Sequence, residues 1–184
     1  IIGTTGGGWV SDVGTSAPAS PIVQPLAPWA PLGCISDDGL TYGFDEDAED
    51  FTPWGQTSPW RTIVTKSVRT FGMTLWETSR TTVQSVMFRI PEAELEPDVG
   101  GITAFAETAS PEPDRRAWWF LVMDGDNSRG FYVPQGEVSD RSDVSFKQDE
   151  QAGYEITVTA YPDDSGNTVY HSAKLPVTPA YTGS

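Results

Sequence analysis

The hydrophobic pattern of the chain is most regular in residues 58–88. Residues 60–66 are rich in threonine and β-branched side chains, and in residues 70–76 an apolar side chain alternates with Thr or Gly. A period of two is typical of a half-buried β-strand, because successive side chains of a strand point to opposite faces. The segment therefore predicts two β-strands that pair as a hairpin.

A short amphipathic helix is predicted directly after this hairpin. Glu77, Thr78 and Ser79 are residue types that favour a helix N-terminus. Apolar residues then recur at helical spacing as far as Ile90. The following Pro91 is expected to end the helix.

The rest of the chain predicts short antiparallel strands joined by tight turns. Residues 32–44 read as strand, turn and strand, and residues 163–167 are a strong hairpin signal. Further strands are predicted at residues 102–109, 115–124, 131–140, 144–150, 153–162 and 167–175. The fold class that follows is mainly β, an antiparallel sandwich or barrel-forming sheet flanked by one short α-helix.

Three parts of the chain differ in composition. Residues 1–31 are rich in Gly, Pro, Ser and Ala and show no period, so they predict an extended N-terminal arm. Apolar residues within the arm favour docking on a surface over a free tail. Residues 32–175 form the predicted β-domain, and residues 176–184 a C-terminal tail.

The charge balance excludes a function in which the protein holds nucleic acid by its phosphates. The formal net charge is −15 and the pI is about 4.2, whereas proteins that hold nucleic acid by neutralising phosphates are basic. The single cysteine, Cys34, excludes an internal disulfide and a cysteine zinc site. No apolar run reaches transmembrane length, so no membrane contact is expected.

An acidic run precedes two tryptophans in residues 44–60, which we interpret as a loop. The run is either a metal site or a solvated loop, and the second interpretation is favoured because the spacing fits no cation-binding loop. Its members are Asp45, Glu46, Asp47, Glu49 and Asp50.

Catalytic signatures are weak throughout, so no enzyme activity and no cofactor are expected. The opening IIGTTGG resembles the mature N-terminus of trypsin-like proteases, but no matching nucleophile motif follows. The only histidine, His171, is predicted to be a plain strand residue. The sequence DGDNSRG (124–130) resembles the start of a calcium loop, yet Arg129 replaces the required glycine and Gln135 the bidentate glutamate, which favours a hairpin turn.

Three segments in succession carry a family resemblance. They are PLGCISDDGLTYGFDEDAEDFTPWGQ, WRTIVTKSVRTFGMTLWETSRTTVQSVMF and GFYVPQGEVSDRSDVSFKQDEQAGYEITVTAYPDDSGNTVYHS. Together they are similar to the major tail (tail tube) proteins of long-tailed, non-contractile bacteriophages, notably those that infect actinobacteria. The resemblance covers roughly residues 32–175 and is weakest in the N-terminal arm.

The resemblance implies a virion protein that is assembled in the host cytoplasm. Six copies would form a ring through shared β-barrel walls, and stacked rings would form a hollow tube through which genomic DNA passes. Tape measure, tail-tip and tail-terminator proteins would be its partners. The acidity of the chain agrees with this role, since a conduit should not bind its cargo.

Two groups of site residues follow from this expectation. The acidic loop, with Trp54 and Trp60 as anchors, is assigned to contacts between rings, and its acids are expected to pair with bases of a neighbouring subunit. Some of the five bases Arg61, Lys66, Arg69, Arg80 and Arg89 are expected to supply these pairs. The acids expected to face the lumen are Glu77, Asp143, Asp149 and Glu155.

Two other classes of function stay open at the level of sequence. One is a carbohydrate-binding β-sandwich, secreted or on a virion surface, whose exposed tryptophans would stack on sugars. The other is a β-sandwich hydrolase with a pair of carboxylates, although the sequence singles out no pair.

Overall fold

The fold of this chain is mainly antiparallel β-sheet with one short α-helix, as the sequence predicts. The computed structural model describes residues 3, 5–147 and 151–174. In these residues the elements are β1 (Thr5–Asp12), β2 (Ala30–Pro31), β3 (Thr41–Phe51), β4 (Arg61–Leu75), α1 (Thr81–Phe88), a 3-10 turn (Glu92–Glu94), β5 (Arg116–Asp124), β6 (Asn127–Arg141), β7 (Tyr154–Tyr161) and β8 (Tyr170–Lys174).

The strands form one sheet in the order β2-β1-β5-β6-β7-β4-β3, with β8 also paired to β6. Two strands lie between β5 and β4 in this order, so a flat sheet would hold them roughly 14 Å apart. Instead Phe71 of β4 stacks on Phe120 of β5, with ring centroids 4.7 Å apart. The sheet is therefore folded back on itself into a sandwich.

The main core fills the space between the two halves of the sandwich. Helix α1 closes it by placing Val83 and Val86 among the strand residues. The largest fully buried members, by side-chain volume, are Trp118, Phe71, Phe120, Leu32, Leu75, Ile156, Val10, Val83 and Val86.

A second, smaller cluster lies on the outer face of β1 and β5. Its buried members are Trp9, Trp29, Ala117, Trp119 and Leu121. Residues 13–29, the covering segment, run over this face: Trp29 meets Tyr132 edge-on at 6.1 Å, and the Tyr132 hydroxyl donates to the Thr15 carbonyl at 2.6 Å. Strand β5 is buried on both faces for this reason.

The N-terminal part differs from the expectation of an arm that spans residues 1–31. Residues Thr5–Asp12 form β1, which pairs with β5 along its whole length. Only the covering segment resembles an arm, and it docks on the sheet of its own chain. The predicted tail, residues 176–184, lies outside the described residues.

The prediction of a hairpin within residues 58–76 is wrong. Residues Arg61–Leu75 form the single strand β4, whose partners are β3 and β7. The sequence pattern changes near Thr65 because a β-bulge occurs there, opposite Asp47 and Ala48, and not because the chain turns.

Two further strand predictions are not met. Residues 102–109 form no strand: both edges of the nearby β5 are occupied, by β1 and β6, and Phe105 packs instead on Phe88 of α1 at 5.0 Å. Residues 144–147 are also irregular, while residues 148–150 lie outside the described part.

Helix α1 is shorter than predicted. Its N-cap is Arg80, which makes no side-chain cap, so the expected capping by Ser79 is wrong. The helix ends before Arg89, whose left-handed backbone (φ 59°) terminates it ahead of Pro91. The hydroxyl of Ser85 donates to the Ile90 carbonyl at 2.6 Å and holds the chain that leaves the helix.

Replacing Phe71 by Ala tests the folded-back sheet. The change removes the ring that stacks on Phe120 and leaves a cavity, which should cost about 3–5 kcal/mol of unfolding free energy. Chemical denaturation measures this loss. Phe51→Ala is the control, because Phe51 is exposed and its truncation should cost no more than about 0.5 kcal/mol. Equal losses in the two variants would contradict the packing described here.

Candidate assembly interface

A two-stranded ribbon projects from the sandwich. Strand β4 pairs with β7 only at residues Arg69–Leu75, whereas its pairing with β3 continues to Arg61. Residues 44–68, the projecting ribbon, therefore have no other strand beside them in the described part of the chain. The eight residues of β3 from Phe44 to Phe51 give the ribbon a reach of roughly 25 Å.

The ribbon and the loop at its end expose large apolar side chains. Trp54 is fully exposed and Trp60 is 83% exposed. The other exposed members are Phe44, Phe51 and Val64. An isolated two-stranded hairpin is only marginally stable in water, and clustered exposed apolar groups mark interaction surfaces. The ribbon thus has the properties of a segment that is completed by another molecule.

The acidic run is part of this ribbon, so its interpretation as a loop is wrong. Acidic residues are poor strand formers, but here cations of β4 lie opposite them. Lys66 Nζ lies 2.5 Å from Asp45 and 4.0 Å from Asp47, and Arg69 lies 2.5 Å from Glu46. The hydrogen bond from Arg69 lowers the pKa of Glu46, and the bond to Asp45 raises the pKa of Lys66.

The bases expected to pair with a neighbouring subunit are therefore largely paired within the chain. Arg80 binds Glu77, and Arg89 lies 3.3 Å from Glu137. Arg61 makes no ion pair among the described residues.

The two faces of the ribbon continue the two faces of the sheet. Directly paired residues share a face, so the register of β3, β4 and β7 defines a polar face opposite the core. Its members are Thr41, Gly43, Asp45, Asp47, Glu49, Phe51, Arg61, Ile63, Lys66, Val68, Thr70, Gly72, Thr74, Glu155, Thr157 and Thr159. Glu46 and Asp50 lie on the other side, together with Phe44 and Val64, where the ribbon extends the core face.

The predicted lumen acids lie in different environments. Glu155 is exposed on the polar face, and Asp143 is exposed just after β6. Asp149 lies outside the described residues. Glu77 is half-buried in the turn between β4 and α1.

Glu77 acts as a clasp between two parts of the chain. Its carboxylate accepts the backbone N–H of Cys34 at 2.8 Å and pairs with Arg80. The bonds from Arg80 and Cys34 lower the pKa of Glu77. Gly33 is required beside it: its φ is +80°, and an added Cβ would lie 2.5 Å from the carboxylate carbon.

Replacing Glu77 by Gln tests this clasp through its pH dependence. Because folding lowers the pKa of Glu77, its ionised carboxylate stabilises the fold at pH values above the pKa of the unfolded chain, about 4.3. This stabilisation is lost as the pH falls below that value. The melting temperature of E77Q should therefore lie below that of the unmodified protein at pH 7, and the gap should narrow towards pH 3. Glu96→Gln, an exposed change, should show no gap. A gap independent of pH would contradict the clasp.

Other candidate sites have structural roles. His171 is a strand residue of β8 whose ring lies beside those of Tyr42 and Phe131, with centroid distances of 5.8 and 5.2 Å. The DGDNSRG segment forms the tight turn between β5 and β6, as predicted. Within residues 3, 5–147 and 151–174, no three His, Cys, Asp or Glu side chains could share a metal ion. In that same part of the chain, no helix has the length and apolar content needed to cross a membrane.

Two open strand edges are the features that sequence reasoning missed. The outer edge of β3 is unpaired in the described part, and so is one edge of β6 at residues 137–141, because pairing with β5 ends at Gly136. The apolar residues Phe44 and Ala48, which lie an even number of positions apart in β3, are the local signal that a strand continues through the acidic run.

A sandwich with two open edges and a projecting, aromatic-tipped ribbon defines a subunit of a larger assembly. The sequence profile of the family described as "Phage tail tube protein" matches residues 1–180. The chain belongs to this family, so it is a structural component of a phage tail, and the family is not one of enzymes.

No curated protein sequence matches the chain. A solved structure that aligns with the chain is the sheath/tube terminator of an extracellular contractile injection system, PVC, in its extended state. That chain is 12% identical, and the alignment has a TM-score of 0.47 and covers 94% of this chain and 96% of the other.

Proposed function

We propose that six copies of this chain form a ring, and that stacked rings form the hollow tail tube through which double-stranded DNA is delivered. The observation that supports this proposal is the four-stranded unit made of the second half of β6 with β7, β4 and β3. It has one open edge at each side in the described part of the chain.

Ring formation follows if the edge of β3 in one copy adds to the edge of β6 in the next. Such strand addition uses two different surfaces, and a contact of this kind closes into a ring when the rotation between copies permits. Charge favours the match: β3 is acidic, and in the described part of the chain the guanidinium of Arg141, at the edge of β6, donates to backbone carbonyls and to no carboxylate. The apolar side chains Phe44 and Val64 would then cover the core of the adjacent copy.

Ring stacking is assigned to the end of the ribbon. The ribbon reaches beyond the sandwich, and Trp54 and Trp60 at its end are too exposed to serve the core of their own chain. Tape measure, tail-tip and tail-terminator proteins would contact the ends or the interior of the finished tube in the assembling virion.

Negative-stain electron microscopy of Trp54→Ala tests the proposal. The unmodified protein, seeded with tail tips where needed, should form tubes. The variant should keep its fold, because the Trp54 side chain is fully exposed, but should form short tubes or none. Circular dichroism provides the folding control.

Unmodified protein that stays monomeric with and without seeds would contradict the tube. Binding of sugars by that monomer would favour the carbohydrate-binding alternative. A folded Trp54 variant that forms tubes of normal length would contradict the role of the tip.

The polar face is the surface we assign to the lumen. Its charged members are the acids Asp45, Asp47, Glu49 and Glu155 and two bases: Lys66, which is paired with Asp45, and Arg61, which lies beside the tip of the ribbon. DNA carries one charge about every 1.7 Å along its axis, so a basic lining would hold it at many points. Threonine and carboxylate side chains avoid this adhesion.

Reversing two lumen charges, Glu49→Lys and Glu155→Lys, should make tubes retain DNA. Neither glutamate has an ion-pair partner in the described residues, so assembly should persist. Co-sedimentation of tubes with short duplex DNA should show retention at low salt that disappears at high salt. Glu112→Lys, in an exposed loop off this face, is the matched control. Equal retention by the control would contradict the lumen assignment.

A further inference from the structure

We propose that the tip of the ribbon docks into a proline-lined cavity in the covering segment of a second copy. The tip is residues 51–60, FTPWGQTSPW, and the cavity lies within residues 15–29. The proposal rests on the proposed tube, and it names the surface that the tip recognises in the adjoining ring.

The tip is an uncharged end on a charged ribbon. Residues 51–60 contain no Asp, Glu, Lys or Arg, although Asp50 and Arg61 flank them directly. Trp54, Trp60 and Phe51 are exposed there. The tip therefore offers two indoles that can be desolvated without burying a charge.

The covering segment offers the matching surface. Residues 13–36 also contain no charged side chain. Within them a cavity of about 660 Å³ is lined mainly by apolar residues, including Pro18, Pro25, Pro28, Leu26 and Trp29. Leu26 is 84% exposed and Val23 60% exposed, so this lining is uncovered in the single chain. Flat proline rings and aliphatic groups suit an indole ring, and a tryptophan buries about 150–250 Å².

Charge decides between this surface and the exposed apolar patch at residues 99–102. Val99 and Ile102 are also exposed, but they lie in a loop that carries Glu96, Asp98 and Glu107. Docking there would bury carboxylates in a chain whose net charge is already −15, at a cost of several kcal/mol for each ion. The covering segment imposes no such cost.

The two surfaces are also placed for contact between copies. One row of paired residues crosses the sheet from Arg69 through Ala160, Gly136 and Arg116 to Asp12. From this row, β4 leads to the tip in one direction along the strands. Strand β1 ends at this row, and the chain continues from it into the covering segment in the opposite direction. Because the tip and the cavity lie in opposite directions, the tip of one copy can meet the cavity of the next. Such a head-to-tail contact is the geometry that stacks units in a column.

Intermolecular cross-linking tests the contact directly. In a Cys34→Ser background, one preparation carries Gln56→Cys at the tip and the other Gln24→Cys in the cavity lining. The two are mixed during tube assembly and treated with a short bis-maleimide. A cross-linked dimer is expected on a denaturing gel. The control replaces Gln24→Cys by Val99→Cys, which should give little dimer.

A second pair of variants measures the energetic contribution. Leu26→Glu places a charge in the cavity lining, and Val99→Glu places the same charge on an exposed aliphatic position elsewhere. The first should raise the protein concentration needed for tube growth by about tenfold or more, as for loss of an interface hot spot. The second should leave that concentration nearly unchanged. Both positions are exposed, so neither substitution should unfold the monomer.

The outcomes separate this inference from the proposed function. Tubes that form normally without the Gln56–Gln24 dimer, or with equal dimer at Val99, would overturn the docking site and leave the tube intact. Leu26→Glu tubes that grow like the Val99→Glu control would do the same. Absence of tubes from unmodified protein with seeds would overturn the proposed function, and the docking site with it.

Discussion

The architecture depends on the stacking of Phe71 against Phe120. This contact holds β4 face to face with β5, although two strands separate them in the hydrogen-bonded order. Strand β6 is long enough to take part in both halves, since it pairs with β5 and β8 in its first part and with β7 in its second. Because the sheet folds in this way, residues 61–68 of β4 pair with β3 and not with β7. The ribbon is therefore a geometric consequence of the sandwich.

Sequence patterns predict the elements whose signals are local. Strands β5 to β8 and the turn at 163–167 follow from alternation and turn residues that lie within each segment. The acidic strand could not be predicted in this way, because the cations that neutralise it, Lys66 and Arg69, lie 21 and 23 residues away from their partners. A solvated loop and a cross-paired strand have the same local sequence, and only the register separates them.

The candidate assembly interface, like the fold, could be predicted from the sequence only where its signals are local. The tryptophans of residues 44–60 are exposed as a binding anchor requires, and the sequence indicates this because a long aromatic loop has no local use. The sequence could not predict which acids lie on the same face of the sheet. Asp45, Asp47 and Glu49 share a face with Glu155 only because of the register in which three strands pair. Glu77 is predicted to face the lumen, but its carboxylate is half-buried and binds Cys34 and Arg80 of its own chain.

Acidity and assembly impose opposing demands on this chain. A net charge of −15 keeps single copies apart, and salt screens that repulsion over about 8 Å at physiological ionic strength. Contacts between copies must therefore gain their energy from apolar surface at places where carboxylates are absent or paired. The uncharged tip and covering segment meet this condition at the ends of a copy, and at the side the ribbon meets it where Lys66 pairs with Asp45 and Arg69 pairs with Glu46. In the proposed column, a head-to-tail contact leaves one tip and one cavity free at the two ends, so this contact by itself does not stop growth. The proposal therefore requires other components of the tail to control the length of the tube.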